Sequence, residues 1–284
     1  MRKSIFDIVF KLHKKQPWLA EKHDEVSTLL FEDCKDDNQQ DLIIELLDRF
    51  IYLDDSKFND ALTTLCDEIV TDPSLDSDQT QIVSLSADNS PDSGQYILYA
   101  LKPRLEKREW RNHLSVNRYG ASFKEFNRHG GVHKKIVLVD EFIGSGQSAI
   151  GRFNELRRIY ERQGILDIDI KIFVIAASTV GLERLRQENI PVTYIYEIKR
   201  GISDFYDNKE KKESLLTIMD ILEKTLSQNY KGRDLPKNGY GETESLYART
   251  EGNTPNSVFP IFWWPIYLDE RSRKTLLTRA MGDA

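Results

Sequence analysis

Apolar and polar residues follow two different patterns along the chain, and the pattern changes near residue 75. Before that point apolar residues recur at helical spacing, with one stripe in residues 5–12 and another in residues 42–50. An acidic segment that contains Pro and Ser, residues 71–80, then marks a boundary. Residues 1–75 are therefore predicted to form a helical N-terminal extension.

After this boundary, short apolar runs alternate with segments of helical period. The predicted strands are residues 82–86, 136–139, 170–177 and 192–197. The predicted helices are residues 95–102, 148–163, 180–188 and 214–227. Because strands that alternate with helices form parallel sheets with right-handed crossovers, the sequence predicts an α/β fold with a parallel sheet flanked by helices.

Two acids and a loop of small residues follow the strand at residues 136–139. Asp140 and Glu141 are expected at its carboxyl end, the edge at which open α/β sheets bind ligands. The backbone N–H groups of residues 145–148 open the next helix, where the helix dipole favours an anion such as a 5′-phosphate. Adjacent carboxylates can accept hydrogen bonds from ribose hydroxyls. The segment therefore predicts a sugar-phosphate site.

Two other nucleotide-binding motifs use similar loops. Gly144, Gly146 and Ala149 fit the G-x-G-x-x-A pattern of a dinucleotide site. That site needs an acid at the end of the next strand, but this strand ends in Ser178 and Thr179. A P-loop is excluded because no Lys follows the glycines. A structural turn without a ligand stays open as an alternative.

Residues 136–148 resemble the signature of the type I phosphoribosyltransferases, in which four apolar residues, two acids and two apolar residues precede a Thr-Gly-x-Thr-like loop. The resemblance implies that Asp140 and Glu141 are the catalytic acids, which hold the ribose hydroxyls of phosphoribosyl pyrophosphate (PRPP). It also implies that the 5′-phosphate is bound by Gly144, Ser145, Gly146, Gln147 and Ser148. The family transfers the phosphoribosyl group with loss of pyrophosphate, and Mg²⁺ is expected with the pyrophosphate, held largely by water and substrate phosphates.

Two departures from that signature concern catalysis. The second acid is Glu141 rather than Asp, and Gly144 with Ser145 replaces the commoner Thr-Thr start of the loop. Ribose contacts are expected to survive these changes, but efficient catalysis does not follow from the motif. The general base stays unassigned, because His129 and His133 precede the motif strand and so lie toward its opposite end.

A second loop of small residues, residues 87–94, lies between the predicted strand 82–86 and its helix. In the phosphoribosyltransferase fold the corresponding loop approaches the pyrophosphate, and Ser93 with Gly94 is the matching pair here. The same residues are also ordinary turn formers, so a plain turn stays open.

Residues 253–256, Asn-Thr-Pro-Asn, precede an apolar segment with two tryptophans at residues 258–264. Together with the two loops, this element makes residues 80–265 similar to the PRTase-CE group of prokaryotic conflict systems, some of which accompany retron reverse transcriptases. The resemblance implies antiviral defence, with PRPP or a nucleotide as ligand. It also allows a reverse transcriptase, or another defence protein, with its RNA or DNA as partner.

Three domains are predicted on this basis: the extension 1–75, a phosphoribosyltransferase-like core 76–230 and a C-terminal segment 231–284. Two interpretations of residues 259–264 remain, a hood over the substrate and a hydrophobic plug that closes the core. The basic stretch at residues 102–118 also has alternatives. It is either a solvated helix face, a mobile loop that meets pyrophosphate, or a contact to nucleic acid.

Composition limits the function classes. A net charge of −6 disfavours indiscriminate nucleic-acid binding, which depends on neutralising phosphates. The two cysteines, Cys34 and Cys66, lack metal-binding spacing and are expected to be inert thiols. No apolar run is long enough to cross a bilayer and no signal peptide is recognised, so a cytoplasmic protein without membrane contact is expected.

Three functional hypotheses follow. The favoured one is a phosphoribosyltransferase-type glycosyltransferase that acts as a defence effector. The second is a sensor that keeps the PRPP or nucleotide site without chemistry. The third is a scaffold subunit bound to a reverse transcriptase and its nucleic acid. The acceptor base, the target and the oligomeric state are not encoded in any recognisable motif.

Overall fold

The computed structural model describes residues 3–87 and 92–281, and the side chains of residues 5 and 9 in the first apolar stripe lie outside the described part. The α-helices of the described residues are α1 (Lys3–Lys15), α2 (His23–Thr28), α3 (Asp37–Asp48), α4 (Asp55–Thr71), α5 (Ser93–Lys107), α6 (Ser122–Arg128), α7 (Gln147–Glu161), α8 (Thr179–Gln187) and α9 (Lys209–Glu223). The β-strands are β1 (Ile51–Leu53), β2 (Thr80–Ser84), β3 (Leu114–Val116), β4 (Lys135–Ile143), β5 (Asp169–Ser178), β6 (Val192–Ile198), β7 (Asn229–Tyr230), β8 (Arg233–Asp234) and β9 (Tyr247–Arg249).

Contacts divide the chain into two compact units. One is continuous, Ser56–Glu197, and is called the sheet unit below. The other combines Met1–Asp55 with Ile198–Ala284 and is called the two-segment unit. The three-domain division with boundaries near residues 75 and 230 stays a prediction.

The sheet unit contains a five-stranded parallel sheet in the order β3-β2-β4-β5-β6, flanked by helices. The α/β fold with a parallel sheet is therefore confirmed. The central strands β4 and β5 are rich in Val, Ile and Ala and are buried along most of their length, as expected for strands that helices cover on both faces. Leu138 and Ile172, which are paired in register, lie in the apolar core of this unit.

One predicted strand boundary is wrong in a way that concerns the site. The strand predicted at residues 136–139 continues to Ile143, so Asp140 and Glu141 lie inside β4 rather than after it. The reason is a long-range pairing, since β5 offers partners as far as Ala177, which pairs with Ile143. The local sequence does not contain this information.

The two-segment unit has its own hydrophobic core, to which α3 and α9 contribute. The strands β1 and β9 pair in parallel, and neither was predicted. The side chains of residues 259–264 are buried, and Phe259, Phe262 and Trp264 belong to this core. Their burial supports the interpretation of this segment as a hydrophobic plug.

A buried ion pair joins the two segments of this unit. The Arg273 guanidinium lies 2.6 Å from Oδ2 of Asp33, and the two side chains are 1% and 2% exposed. The Tyr267 hydroxyl donates a hydrogen bond to the other oxygen of Asp33 over 2.7 Å. Arg273 also donates to the carbonyls of Ile261 and Trp264, so its polar atoms are well satisfied inside the core.

Both cysteines are free and buried, as the sequence predicted for inert thiols. Burial raises the pKa of Cys34 to about 12 and that of Cys66 to about 11. Among the helices of residues 3–87 and 92–281, none has both the length and the apolar character needed to cross a membrane.

Candidate functional site

The order of the strands in the sheet reverses between β2 and β4. From β2 the chain leads through α5 to β3 on one side, whereas β4 leads to β5 and β6 on the other side. Open α/β sheets bind ligands at the carboxyl ends of the strands where the order reverses in this way. Both loops singled out in the sequence follow these two strands, although residues 88–91 of the first loop lie outside the described residues.

Asp140 is the acid of β4 that contacts the start of α5 at this reversal point. It is 7% exposed, and its Oδ1 accepts hydrogen bonds from the Ser93 hydroxyl over 2.7 Å and from the Glu141 N–H over 2.7 Å. Burial and, less strongly, the nearby carboxylate of Asp92 raise the pKa of Asp140 to about 7. The hydrogen bond from Ser93 opposes this rise. Near neutral pH the group therefore exchanges between its neutral and charged forms.

Glu141 is also buried, at 4% exposure. Consecutive side chains of a strand point to opposite faces of the sheet, and both acids lie inside β4. Asp140 shares its face with Ser93, so Glu141 leaves the strand on the other face. The two acids are neighbours in sequence, and the Glu141 carboxylate is still close enough to help raise the pKa of Asp140.

The first residues after β4 form a tight loop that leads into α7. Gly146 has a left-handed backbone with φ of 78° and directly precedes the helix, a conformation that favours glycine. No side chain caps the N-terminus of α7, whereas Asp92 caps α5 and Ser178 caps α8. The beginning of α7, like that of α6, therefore has no side-chain acceptor of its own.

The predicted phosphate-binding residues fall into two groups by exposure. Gly144 is half-buried, and Ser145 and Gly146 are buried within the loop. Gln147 and Ser148 are exposed in the first turn of α7. All five residues thus lie together at the start of this helix, and their binding of a phosphate stays a prediction.

Three residues that were not predicted from the sequence contact this loop from the junction of β5 and α8. The Ser178 hydroxyl donates to the carbonyl oxygen of Gly144 over 2.7 Å. Arg184 donates to the carbonyl oxygen of Ser145 over 3.1 Å. Gly181 packs so closely that a Cβ atom on it would lie 2.2 Å from the Gly144 carbonyl oxygen. The sequence signal for this contact is Ser178 at the end of β5, a residue type that favours the N-cap of a helix.

Ser93 and Gly94 open α5 at the same edge of the sheet. Ser93 contacts Asp140 directly, while the N–H of Gly94 donates to Asp92 over 2.9 Å. A Cβ atom on Gly94 would lie 2.6 Å from the Ser84 hydroxyl and 3.1 Å from the Val139 carbonyl oxygen. Gly94 therefore lets the helix approach the ends of β2 and β4 closely.

The basic stretch is largely engaged in contacts away from this edge. Arg104 donates to Asn59 over 2.8 Å, and Arg108 forms an ion pair with Asp67. Both arginines lie at the C-terminal end of α5, whereas the site lies at its N-terminal end. This arrangement does not favour these two arginines as contacts of pyrophosphate, whereas Arg118 follows β3 and lies toward the carboxyl edge of the sheet.

The histidines considered as bases do not reach the site. His133 precedes β4 and its Nε2 lies 3.1 Å from the Asn112 carbonyl oxygen, so it is at the amino end of the sheet. The general base stays unassigned.

The side chains near the site that could bind a metal ion are carboxylates. Among the residues that the structure describes, no group of three or more His, Cys, Asp or Glu side chains is placed to hold a metal ion. Asp92 and Asp140 are close enough for one carboxylate to raise the pKa of the other. Carboxylate oxygens suit Mg²⁺, which keeps several waters and needs only one or two protein ligands. The residues present therefore fit a Mg²⁺ ion that is held jointly with substrate phosphates.

Comparisons with known proteins relate this geometry to a family. The crystal structure of orotate phosphoribosyltransferase from Aeropyrum pernix is similar with a TM-score of 0.32 and 16% sequence identity, over 51% of this chain and 72% of that chain. No curated protein matches the sequence. The PRTase-CE family matches residues 18–279, which is nearly the whole chain. The chain belongs to the PRTase-CE family.

Proposed function

We propose that the protein binds PRPP or a nucleotide 5′-phosphate at the crevice between β2 and β4, as a phosphoribosyltransferase-like effector of a bacterial antiviral defence system. The observation that carries the proposal is the hydrogen bond between Ser93 and Asp140, because it joins the start of α5 to β4 where the strand order reverses. The uncapped start of α7 supports a phosphate there, since its N–H groups and dipole favour an anion.

The proposed roles follow from position. The N–H groups of residues 145–148 receive the 5′-phosphate, and Asp140 accepts a hydrogen bond from a ribose hydroxyl. Glu141 emerges on the opposite face of β4, so its contact with the ribose requires its longer side chain to reach around the strand. Ser93 and the start of α5 face the pyrophosphate. Asp92 and Asp140 would hold Mg²⁺, which would neutralise charge on the departing pyrophosphate.

Transfer from PRPP would break the bond between C1′ and pyrophosphate and form a bond from C1′ to an acceptor nucleophile, which loses its proton. The developing positive charge on the ribose is stabilised by nearby anions. Asp140 can supply that charge only in its ionised form. Its raised pKa makes the proposed activity increase with pH through about 7.

Calorimetric titration with PRPP tests the binding site, with and without Mg²⁺. The variants are D140N, E141Q and the double variant, and E161Q is the matched control because Glu161 is exposed at the far end of α7. We expect the double variant to lose PRPP binding, D140N to lose more affinity than E141Q, and E161Q to bind as the wild type does. Equal affinity of the double variant and the wild type would refute the assigned acids.

A non-catalytic sensor is the second candidate. It is favoured by the Glu at position 141, by the Gly144-Ser145 start of the loop and by the divergent directions of the two acids. Incubation with PRPP, Mg²⁺ and each candidate base separates the two functions. Release of pyrophosphate that D140N abolishes supports a transferase, whereas PRPP binding without release supports a sensor.

A reverse transcriptase and its RNA or DNA are proposed as partners on the strength of family membership. The test uses the full chain, because α1, α3 and α9 contribute to one core and a deletion of the first 70 residues would open it. Co-purification with a reverse transcriptase encoded beside the gene supports the partnership. Separate elution of the two proteins, with and without nucleic acid, contradicts it.

A further inference from the structure

The junction between β5 and α8 lies directly behind the loop at residues 144–146. Ser178 is fully buried there, and its hydroxyl makes two hydrogen bonds. It donates to the Gly144 carbonyl oxygen over 2.7 Å and accepts from the Gly181 N–H over 3.0 Å. One residue thus caps α8 and fixes the first carbonyl of the loop.

Arg184 fixes the next carbonyl. Its Nη1 donates to the Ser145 carbonyl oxygen over 3.1 Å. Two consecutive carbonyls of the loop are therefore held toward α8. In a planar trans peptide the C=O and the N–H of the same unit point in opposite directions. The N–H groups of Ser145 and Gly146 consequently point away from α8.

This orientation matters for an anion. A phosphate gains from N–H groups that face it and is repelled by carbonyl oxygens. If either peptide unit turned over, a carbonyl would replace a donor in the cradle. A hydrogen bond to the carbonyl end of a peptide also polarises its N–H, which strengthens the donor.

The charge of Arg184 can attract an anion at this loop. Arg184 forms no ion pair with any residue in the described ranges 3–87 and 92–281. Arg186, two residues further along the same helix, is ion-paired with Glu183 over 2.8 Å. The positive charge of Arg184 therefore lies next to the loop, and its recorded contact there is with the Ser145 carbonyl oxygen.

We propose that Ser178 and Arg184 are positioning residues that keep the loop at residues 144–146 in an anion-binding orientation, with Arg184 adding positive charge behind the 5′-phosphate of a sugar phosphate. The inference rests on the proposed function. It assigns to α8 a part in ligand binding, although no residue of α8 touches the ligand.

Ribose 5-phosphate is the probe, titrated by calorimetry into the full-length wild type, R184A, R184K and R186A at pH 5 and pH 7.5. The phosphate carries its second negative charge above a pKa of about 6. At pH 7.5 we expect R184A to bind about tenfold more weakly, the loss typical of a hydrogen bond involving a charged group. At pH 5 the ratio should shrink, because the phosphate is then largely a monoanion. R184K should retain most of the affinity, and R186A should match the wild type.

The pH comparison is read only on variants that urea unfolding shows to be fully folded at both pH 5 and pH 7.5, so that loosened folding is excluded as the cause of a change in the ratio. Only the ratio to wild type at each pH is read. S178A and S178T extend the test, since Thr keeps the hydroxyl and should restore binding that Ala loses.

The outcomes separate the two claims. Wild-type protein that binds neither ribose 5-phosphate nor PRPP overturns the proposed function and the inference with it. Wild-type binding that R184A leaves unchanged, or weakens by the same ratio at both pH values, overturns the inference alone.

Discussion

The Ser93 hydroxyl donates a 2.7 Å hydrogen bond to Oδ1 of Asp140, although the two residues are 47 positions apart in the chain. The bond fastens the start of α5 to β4 at the point where the strand order of the sheet reverses. Oδ1 also accepts from the Glu141 N–H, so Oδ2 is the oxygen of Asp140 that a ribose hydroxyl can approach without displacing either bond.

The raised pKa of Asp140 makes stability depend on pH. The neutral form is favoured in the folded protein until about pH 7, while the unfolded chain ionises near 3.8. Asp140 therefore leaves the free energy of unfolding at its highest below about pH 4, and this free energy falls as the pH rises from about 4 to 7. D140N avoids this loss and can keep both hydrogen bonds at its carbonyl oxygen.

We therefore expect D140N to be more stable than the wild type at pH 8, by a few kcal/mol with a ceiling of about 4 kcal/mol, and nearly equal to it at pH 4. Urea unfolding across this pH range measures the difference. E161Q, which alters an exposed acid, should show no such trend. A constant difference between D140N and the wild type at all pH values would argue against a buried, neutral Asp140.

Two glycines in neighbouring helices should respond oppositely to the same substitution. Gly151 in α7 has open space around its Cβ position, so G151A should gain about 1 kcal/mol from helix propensity. A Cβ atom on Gly181 would lie 2.2 Å from the Gly144 carbonyl oxygen, so G181A should lose about 1–3 kcal/mol and displace the loop. Thermal unfolding measures both. Stabilisation by G181A would show that Gly181 does not pack closely against the Gly144 carbonyl.

The buried ion pair of the two-segment unit should contribute more to stability than an exposed ion pair does. R273A leaves Asp33 charged inside the core, which typically costs about 3–5 kcal/mol. R271A removes the same kind of pair with Asp269, but there the side chains are 74% and 55% exposed, and a loss of at most about 1 kcal/mol is expected. Chemical denaturation compares the two variants, and equal losses would contradict the burial of the Asp33 pair.

The two thiols should be unreactive in the native protein. With pKa values of about 12 and 11, at most about one molecule in a thousand carries a thiolate at pH 8. We expect thiol reagents to label Cys34 and Cys66 only after unfolding, as followed by intact mass. Rapid labelling of the folded protein would show that one of these sites opens readily.

Much of the sheet unit could be predicted from local pattern. Short β-branched runs, small-residue loops and helical stripes identify β4, α7, β5 and α8 in the correct order. The meeting of Ser93 with Asp140 also follows from placing both loops at the carboxyl edge of one sheet. These features depend on neighbouring residues in sequence or on general rules of α/β folds.

Other features depend on contacts that local sequence does not encode. The helix predicted at residues 95–102 continues to Lys107, past Pro103, and Leu101 and Leu105 are buried on one face of it. The extension of β4 through both acids requires pairing with β5. The contacts of Ser178 and Arg184 with the loop span more than 30 residues.

A crystal structure with ribose 5-phosphate bound tests the central claim most directly. We predict electron density for the phosphate at the start of α7, within hydrogen-bonding distance of the N–H groups of residues 145–148, and a ribose hydroxyl on Asp140. Density at another surface, or none in crystals of a protein that binds the compound in solution, would contradict the assignment of this crevice as the sugar-phosphate site.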